Sequence, residues 1–283
     1  MYRKLDIKYS LLDDKVFKLF MEDEEIAKIV LEIILQKEIK ELKYVDTEKE
    51  ITGLDMERTI RYDVLCKDEE EKYYDVELQI AKQDDLMERF RIYQSALDKY
   101  TIRKGEKEYI KVRETYIIFI CDFDFFGDEL VEYNIVNMCK ENNKICTDKT
   151  NRKILNLRAK NIENKEIKDL IKLLKENNFN DESKKINKLK ERLVKVSNSD
   201  GFYRRYEIMK TKEMSLIDEG IKIGIKQGIE YGIKQGIEEE KFRRLKQQIK
   251  MLINFKIDKN TIIEQLSKDY ELSEEDIKKY FND

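Results

Sequence analysis

The sequence predicts an α/β core with an all-α C-terminal extension. Three observations predict it. Tyr116 to Cys121 is a near-continuous apolar run, the kind that sits buried in mid-sheet with both faces covered. Residues 61–80 alternate as two short strands joined by a charged turn. Beyond about residue 160 the chain becomes charged and helical, and the absence of proline leaves long helices uninterrupted.

Residues 14–38 read as a helix that Asp13 or Asp14 can cap. Phe17 and Phe20 lie near one face, and Ile26, Ile29, Val30, Ile33 and Ile34 form an apolar stripe. A hairpin follows from about 57 to 81. In its second strand Asp75, Glu77 and Gln79 share one face and Val76, Leu78 and Ile80 the other. In its first strand Arg61, Asp63 and Leu65 oppose Tyr62, Val64 and Cys66, so the hairpin sets Asp63 beside Glu77, with Gln79 one step along the same face. Leu86, Phe90, Tyr93 and Leu97 then place one helix face on the sheet, with Asp84 and Asp85 as caps. Thr115–Cys121 is the central strand, Gly127-Asp128 a turn, and Glu132 to Cys139 a further strand. This core is expected to fill residues 1–160.

A charged helical region spans residues 161–215. Ser183 to Lys195 and Tyr203-Arg-Arg205 are locally basic; they either approach phosphates or form a solvated Lys-rich face. From 216 to 283 an internal repeat comes first. Gly220, Gly224, Gly228, Gly232 and Gly236 recur every four residues, each followed by Ile. Each Gly costs a helix about 1 kcal/mol relative to Ala, so the series calls for a compensating contact. A four-residue period drifts about 40° per step around the helix and favours a right-handed supercoil. Self-association through 216–283 is the expectation; a frayed spacer is the alternative. Two short helices close the chain, one capped by Asp258 and one opened by Ser273-Glu-Glu-Asp276.

At 283 residues and 41% charged, the chain carries far more charge than the average globular protein, yet its formal net charge is −3. That balance neither indicates nor excludes a local basic surface. Histidine is absent, which removes imidazole bases, Ser-His triads and His-containing zinc sites. The four cysteines form no CxxC pair, so a disulfide framework is not expected and Cys66 and Cys121 read as small buried apolar residues. No long apolar span or signal-type segment is visible, which predicts a soluble, cytoplasmic protein with no membrane partner.

Asp63, Glu77 and Gln79 carry the chemistry that remains. Two carboxylates and a carboxamide on a stiff sheet can hold a hard divalent cation and orient a water, the equipment for cutting a phosphodiester. The alternative is an amphipathic hairpin with a solvated acidic face.

Four stretches in order carry a family resemblance. They are Asp14-Lys-Val-Phe-Lys18; Asp63 followed by Glu77-Leu-Gln79; Arg89-Phe-Arg-Ile-Tyr-Gln-Ser95; and Tyr116 to Gly127. Together they resemble the PD-(D/E)XK nuclease family transposases, the group that includes the recombination-promoting nucleases. The resemblance implies a restriction-endonuclease-like α/β core, a mixed sheet flanked by helices, that acts on DNA. It implies Mg2+ (or Mn2+ or Ca2+) on Asp63 and Glu77, with the Leu78 carbonyl as a further ligand. Asp14 is carried over as a catalytic residue, with helix capping as its other role. Gln79 stands where the superfamily has its Lys, and offers neutral hydrogen bonds in place of charge. The missing charge must then come from a second metal ion or a nearby cation. Lys82, Arg89 and Arg91, with Gln94, are the candidates for facing DNA. The rival reading is a catalytically degenerate DNA-binding or assembly protein on the same fold.

Overall fold

A computed structural model of the chain describes residues 3–4, 9–51, 60–102, 108, 111–176, 178–179 and 183–281. The chain divides into two compact units, Met1–Lys210 and Thr211–Asp283. A six-stranded mixed sheet organises the first. It contains β2 (Leu42–Ile51), β3 (Ile60–Asp68), β4 (Tyr73–Gln79), β5 (Thr115–Cys121), β6 (Glu132–Ile135) and β9 (Thr150–Asn156), in the order β2-β3-β4-β5-β9-β6. The β4–β5 and β5–β9 pairs are parallel, and antiparallel pairs flank them. Parallel neighbours need a crossover, which α3 (Leu86–Thr101) supplies between β4 and β5. Two short ribbons complete the unit: β1 (Arg3–Lys4) with β10 (Asn178–Phe179), and β7 (Met138–Cys139) with β8 (Lys144–Ile145).

Every residue of β5 is buried, as its apolar run predicts, because helices cover both faces. On one face Ile118, Ile120, Val64 and Val76 join α1 (Asp14–Met21), α2 (Glu24–Leu35), α4 (Lys165–Glu176) and α5 (Lys184–Ser197) in one apolar cluster. On the other, Ile117 and Phe119 meet Leu86 and Phe90 of α3. Burying each such side chain stabilises the fold by about 1.5–3 kcal/mol.

The helix expected over 14–38 is two helices, because Asp23 accepts hydrogen bonds from the Glu25 and Ile26 amides and starts a new helix. Gln36 in the left-handed region, φ 53°, ends it. Asp13, not Asp14, caps α1 by accepting from Lys15 and Val16. The hairpin is present as β3 and β4; positions 57–59 of its expected span lie outside the described residues. Asp85 occupies the N-cap of α3 without a side-chain cap bond, so the expected Asp84/Asp85 cap is not made. The strand expected over 132–139 is interrupted, giving β6 and β7. Strands β2 and β9 have no counterpart in the sequence reading.

In the second unit the long helix α6 (Asp200–Asn254), which begins in the first, packs against α7 (Lys259–Tyr270) and α8 (Glu274–Lys279). Leu245, Ile249, Ile262, Ile263, Leu266 and Ile277 form its core. Asp258 and Ser273 make the expected caps. The Gly/Ile series is helical throughout and open. A Cβ added at any of Gly220, Gly224, Gly228, Gly232 or Gly236 meets nothing within 4 Å, and the isoleucines that follow them are exposed.

Candidate active site

Asp63 sits where the sheet is locally opened. The β2–β3 ladder pairs Thr47 with Val64 and Lys49 with Tyr62 but skips the intervening pair, where Glu48 takes a φ of 60°. The β3–β4 ladder begins only at Val64. Irregularities of this kind re-aim a side chain. Asp63 is thereby freed from both ladders, and its N–H donates to Glu77 Oε1 at 2.8 Å. The nearby Leu78 N–H helps to hold the Asp63 carboxyl down. The two acids named by the alternation are thus tied to each other.

Their surroundings differ from the single face that alternation implies. Glu77 and Gln79 are met by α3: Arg89 Nη1 donates to Gln79 Oε1 at 2.9 Å and Arg89 Nη2 lies 4.0 Å from Glu77 Oε2. Arg89 also donates to the Tyr93 hydroxyl at 3.3 Å. Asp63 is met instead by α1, on the opposite sheet face. Lys18 Nζ lies 2.9 Å from Asp63 Oδ1, 2.7 Å from Asp14 Oδ2 and 3.9 Å from Glu48 Oε1. Lys18 is only 2% exposed. Asp14 is therefore a partner of this lysine rather than a cap.

Electrostatics follow from this burial. Removal from water, with the charge of Asp63 added, pushes Glu77 up to about 8. Burial also lifts Asp63 above the usual carboxylate range, while Lys18 pulls it back. Asp75, next on the Glu77 side of β4, is completely buried with neither oxygen meeting a donor. Burial, then the charge of Glu77, holds its carboxyl well above the ordinary value. Burial opposes the Lys18 ammonium, but Asp63 and Asp14 outweigh it and its pKa is raised. Five carboxylates (Asp14, Glu48, Asp63, Asp75, Glu77) thus crowd two cations, Lys18 and Arg89.

The remaining sequence candidates are placed as follows. Lys82 and Arg91 are exposed. Gln94 is buried and donates to Thr115 Oγ1 and Asp98 Oδ1, both at 2.8 Å. Thr115 pairs with Tyr73 at the far end of β4 from Gln79, so the Gln94 side chain does not join the site. Tyr93 packs on Phe119 and Tyr62 as its apolar spacing suggests, yet its hydroxyl meets Arg89. Lys18 is the residue that sequence reasoning did not assign. Its one signal is a lysine set among Val16, Phe17, Leu19 and Phe20, all buried.

The donor set fits a hard cation. Asp63 and Glu77 are hard oxygen donors on either side of the opened strand junction, Asp63 toward α1 and Glu77 toward α3. Among the described residues no group of three or more Asp, Glu, Cys or His side chains is arranged to hold a metal.

A mixed six-stranded sheet flanked by helices is the architecture of a restriction-endonuclease-like core. The chain belongs to the PD-(D/E)XK nuclease family transposases, whose sequence model matches residues 11–222. Comparison with curated proteins and with solved structures gives no match. Among the described residues no helix is long and apolar enough to cross a membrane.

Proposed function

We propose that this chain is a Mg2+-dependent DNA endonuclease of the transposase, recombination-promoting type, hydrolysing phosphodiester bonds in the cytoplasm. The observation that carries the reading is the hydrogen bond from the Asp63 N–H to the buried Glu77 carboxyl, which ties the two acids together at the opened strand junction. Asp63, Glu77 and the Leu78 carbonyl would hold Mg2+, with Mn2+ or Ca2+ as substitutes. When bound, a divalent cation supplies Lewis acidity to a phosphate oxygen and makes water more acidic.

The protein groups do the positioning. Arg89 engages the Gln79 carbonyl oxygen, which leaves the Gln79 amide nitrogen as a donor for a phosphate oxygen. Arg89 also sets positive charge beside Glu77. The exposed Lys82 and Arg91 add positive charge for the DNA backbone. Self-association through 216–283 would bring two sites together, as cutting both strands requires. The open isoleucine ridge of α6 supports that part of the reading.

The test is nicking of supercoiled plasmid by the pure full-length protein in Mg2+ or EDTA, beside Asp63→Ala and Glu77→Ala. Activity that needs Mg2+ and disappears in both folded variants is expected. Activity indifferent to EDTA and to both substitutions would refute the site. DNA binding with no cleavage under any metal would favour the degenerate, assembly-type alternative.

A further inference from the structure

Lys18 calls for an explanation of its own. Taking an ammonium out of water is costly, and α1 supplies apolar residues on either side of it. A leucine or methionine at position 18 would complete that apolar surface. Lys18 instead extends to Asp63 and Asp14, leaving the opened strand junction with a cation contributed by a helix. Gln79, on the strand, brings no charge. Lys is a compact point charge on a flexible stem, unlike the fork of Arg89, which is already engaged by Gln79 and Tyr93.

Resting on the nuclease reading above, we propose that Lys18 is the catalytic cation of this site. Its ammonium holds Asp63 and Asp14. With Asp63 engaged by a divalent cation, the ammonium would be released from that oxygen and free to face the scissile phosphate, supplying the charge that Gln79 lacks. In the hydrolysis the water oxygen forms a new P–O bond and the bridging P–O bond breaks. One water proton passes to the leaving oxygen and the other stays with the phosphate product. Lys18 keeps its proton throughout and offsets the negative charge growing on the non-bridging oxygens.

Two consequences pull in opposite directions, which separates this role from a purely structural one. Without the ammonium, Asp63 has no resident competitor, so metal should bind more tightly. Without the ammonium, the phosphate loses a cation, so cutting should slow. The experiment measures Mn2+-induced thermal stabilisation and plasmid nicking for the full chain and for Lys18→Met, Lys18→Gln and Lys18→Arg. Expected for Lys18→Met is Mn2+ binding about tenfold tighter with kcat about 100-fold lower and KM for DNA little changed. Lys18→Arg should recover part of the rate. Lys18→Gln, which retains a donor for Asp63, carries the same expectation if the Met variant does not fold.

Metal affinity that falls together with activity would overturn the proposal, since the ammonium would then only hold the carboxylates in place. Nicking intact in Lys18→Met or Lys18→Gln but lost in Asp63→Ala would overturn it while leaving the nuclease reading standing. A wild-type chain that neither responds to Mn2+ nor nicks would overturn both.

Discussion

Replacing Glu77 with Gln tests the electrostatics of the site directly. The substitution keeps shape and leaves an oxygen to accept the Asp63 N–H, but removes the titrating charge. The Glu77 carboxyl rises from its ordinary 4.5 to about 8 in the folded chain. Between those values the folded protein retains a proton that the unfolded chain has already released. Unfolding therefore releases a proton in this window, and stability falls as pH rises through it, levelling above about 8. At about 1.4 kcal/mol per unit, the span corresponds to a loss on the order of 5 kcal/mol. The titration belongs to the Asp75–Glu77 pair, so the informative quantity is the difference between wild type and variant. Urea unfolding in EDTA at pH 5 and pH 9 measures it. The two proteins should be nearly equal at pH 5, and Glu77→Gln should be the more stable by several kcal/mol at pH 9. Parallel pH profiles would refute the reasoning, because they would mean that Glu77 is already charged in the folded chain at neutral pH.

Arg89→Ala should push the Glu77 carboxyl above about 8, since burial would lose an opposing positive charge, and should release the Gln79 carboxamide. Carboxyl carbon shifts followed against pH would show it; an unmoved Glu77 titration would contradict the contact. On α6, the double substitution Ile225→Lys and Ile229→Lys places charge on the open ridge without touching the cores of either unit. It should lower the mass measured by light scattering while helical circular dichroism persists. An unchanged oligomer would exclude this face.

The elements that could be read from sequence were those fixed by local rules. The β5 run, the apolar spacing of α3 and the caps at Asp13, Asp258 and Ser273 depend on near neighbours. Strands β2 and β9 do not show the expected signals for reasons visible in their surroundings. β2 is a half-exposed edge strand whose Lys, Asp and Glu residues mask any alternation. β9 opens with the polar run Thr150-Asn-Arg-Lys153, whose lysine and arginine find distant partners: Lys153 reaches Glu132 Oε2 at 2.6 Å and the Ile34 carbonyl at 3.1 Å, and Arg152 reaches Asn137. The break between α1 and α2 was equally obscure, because Asp23 is one acid in an acidic run and only its amide contacts single it out.

The site divides along the same line. Alternation was sufficient to select Glu77 and Gln79, and hairpin register to bring Asp63 alongside. Alternation also placed all three on one face, which fails at Asp63 because the strand is opened there by Glu48, a residue of another strand. That opening has a chemical consequence. An Asp63 held in regular pleat would share the α3 side with Asp75, Glu77 and Arg89, three acids against one guanidinium. Turned toward α1, it instead gains Lys18 and Asp14 while its N–H remains bonded to Glu77. The acids are thereby divided between two cations that approach from opposite faces of the sheet. Lys18 and Arg89 should consequently act unequally: removal of Lys18 alters the hold on Asp63, whereas removal of Arg89 alters the proton on Glu77.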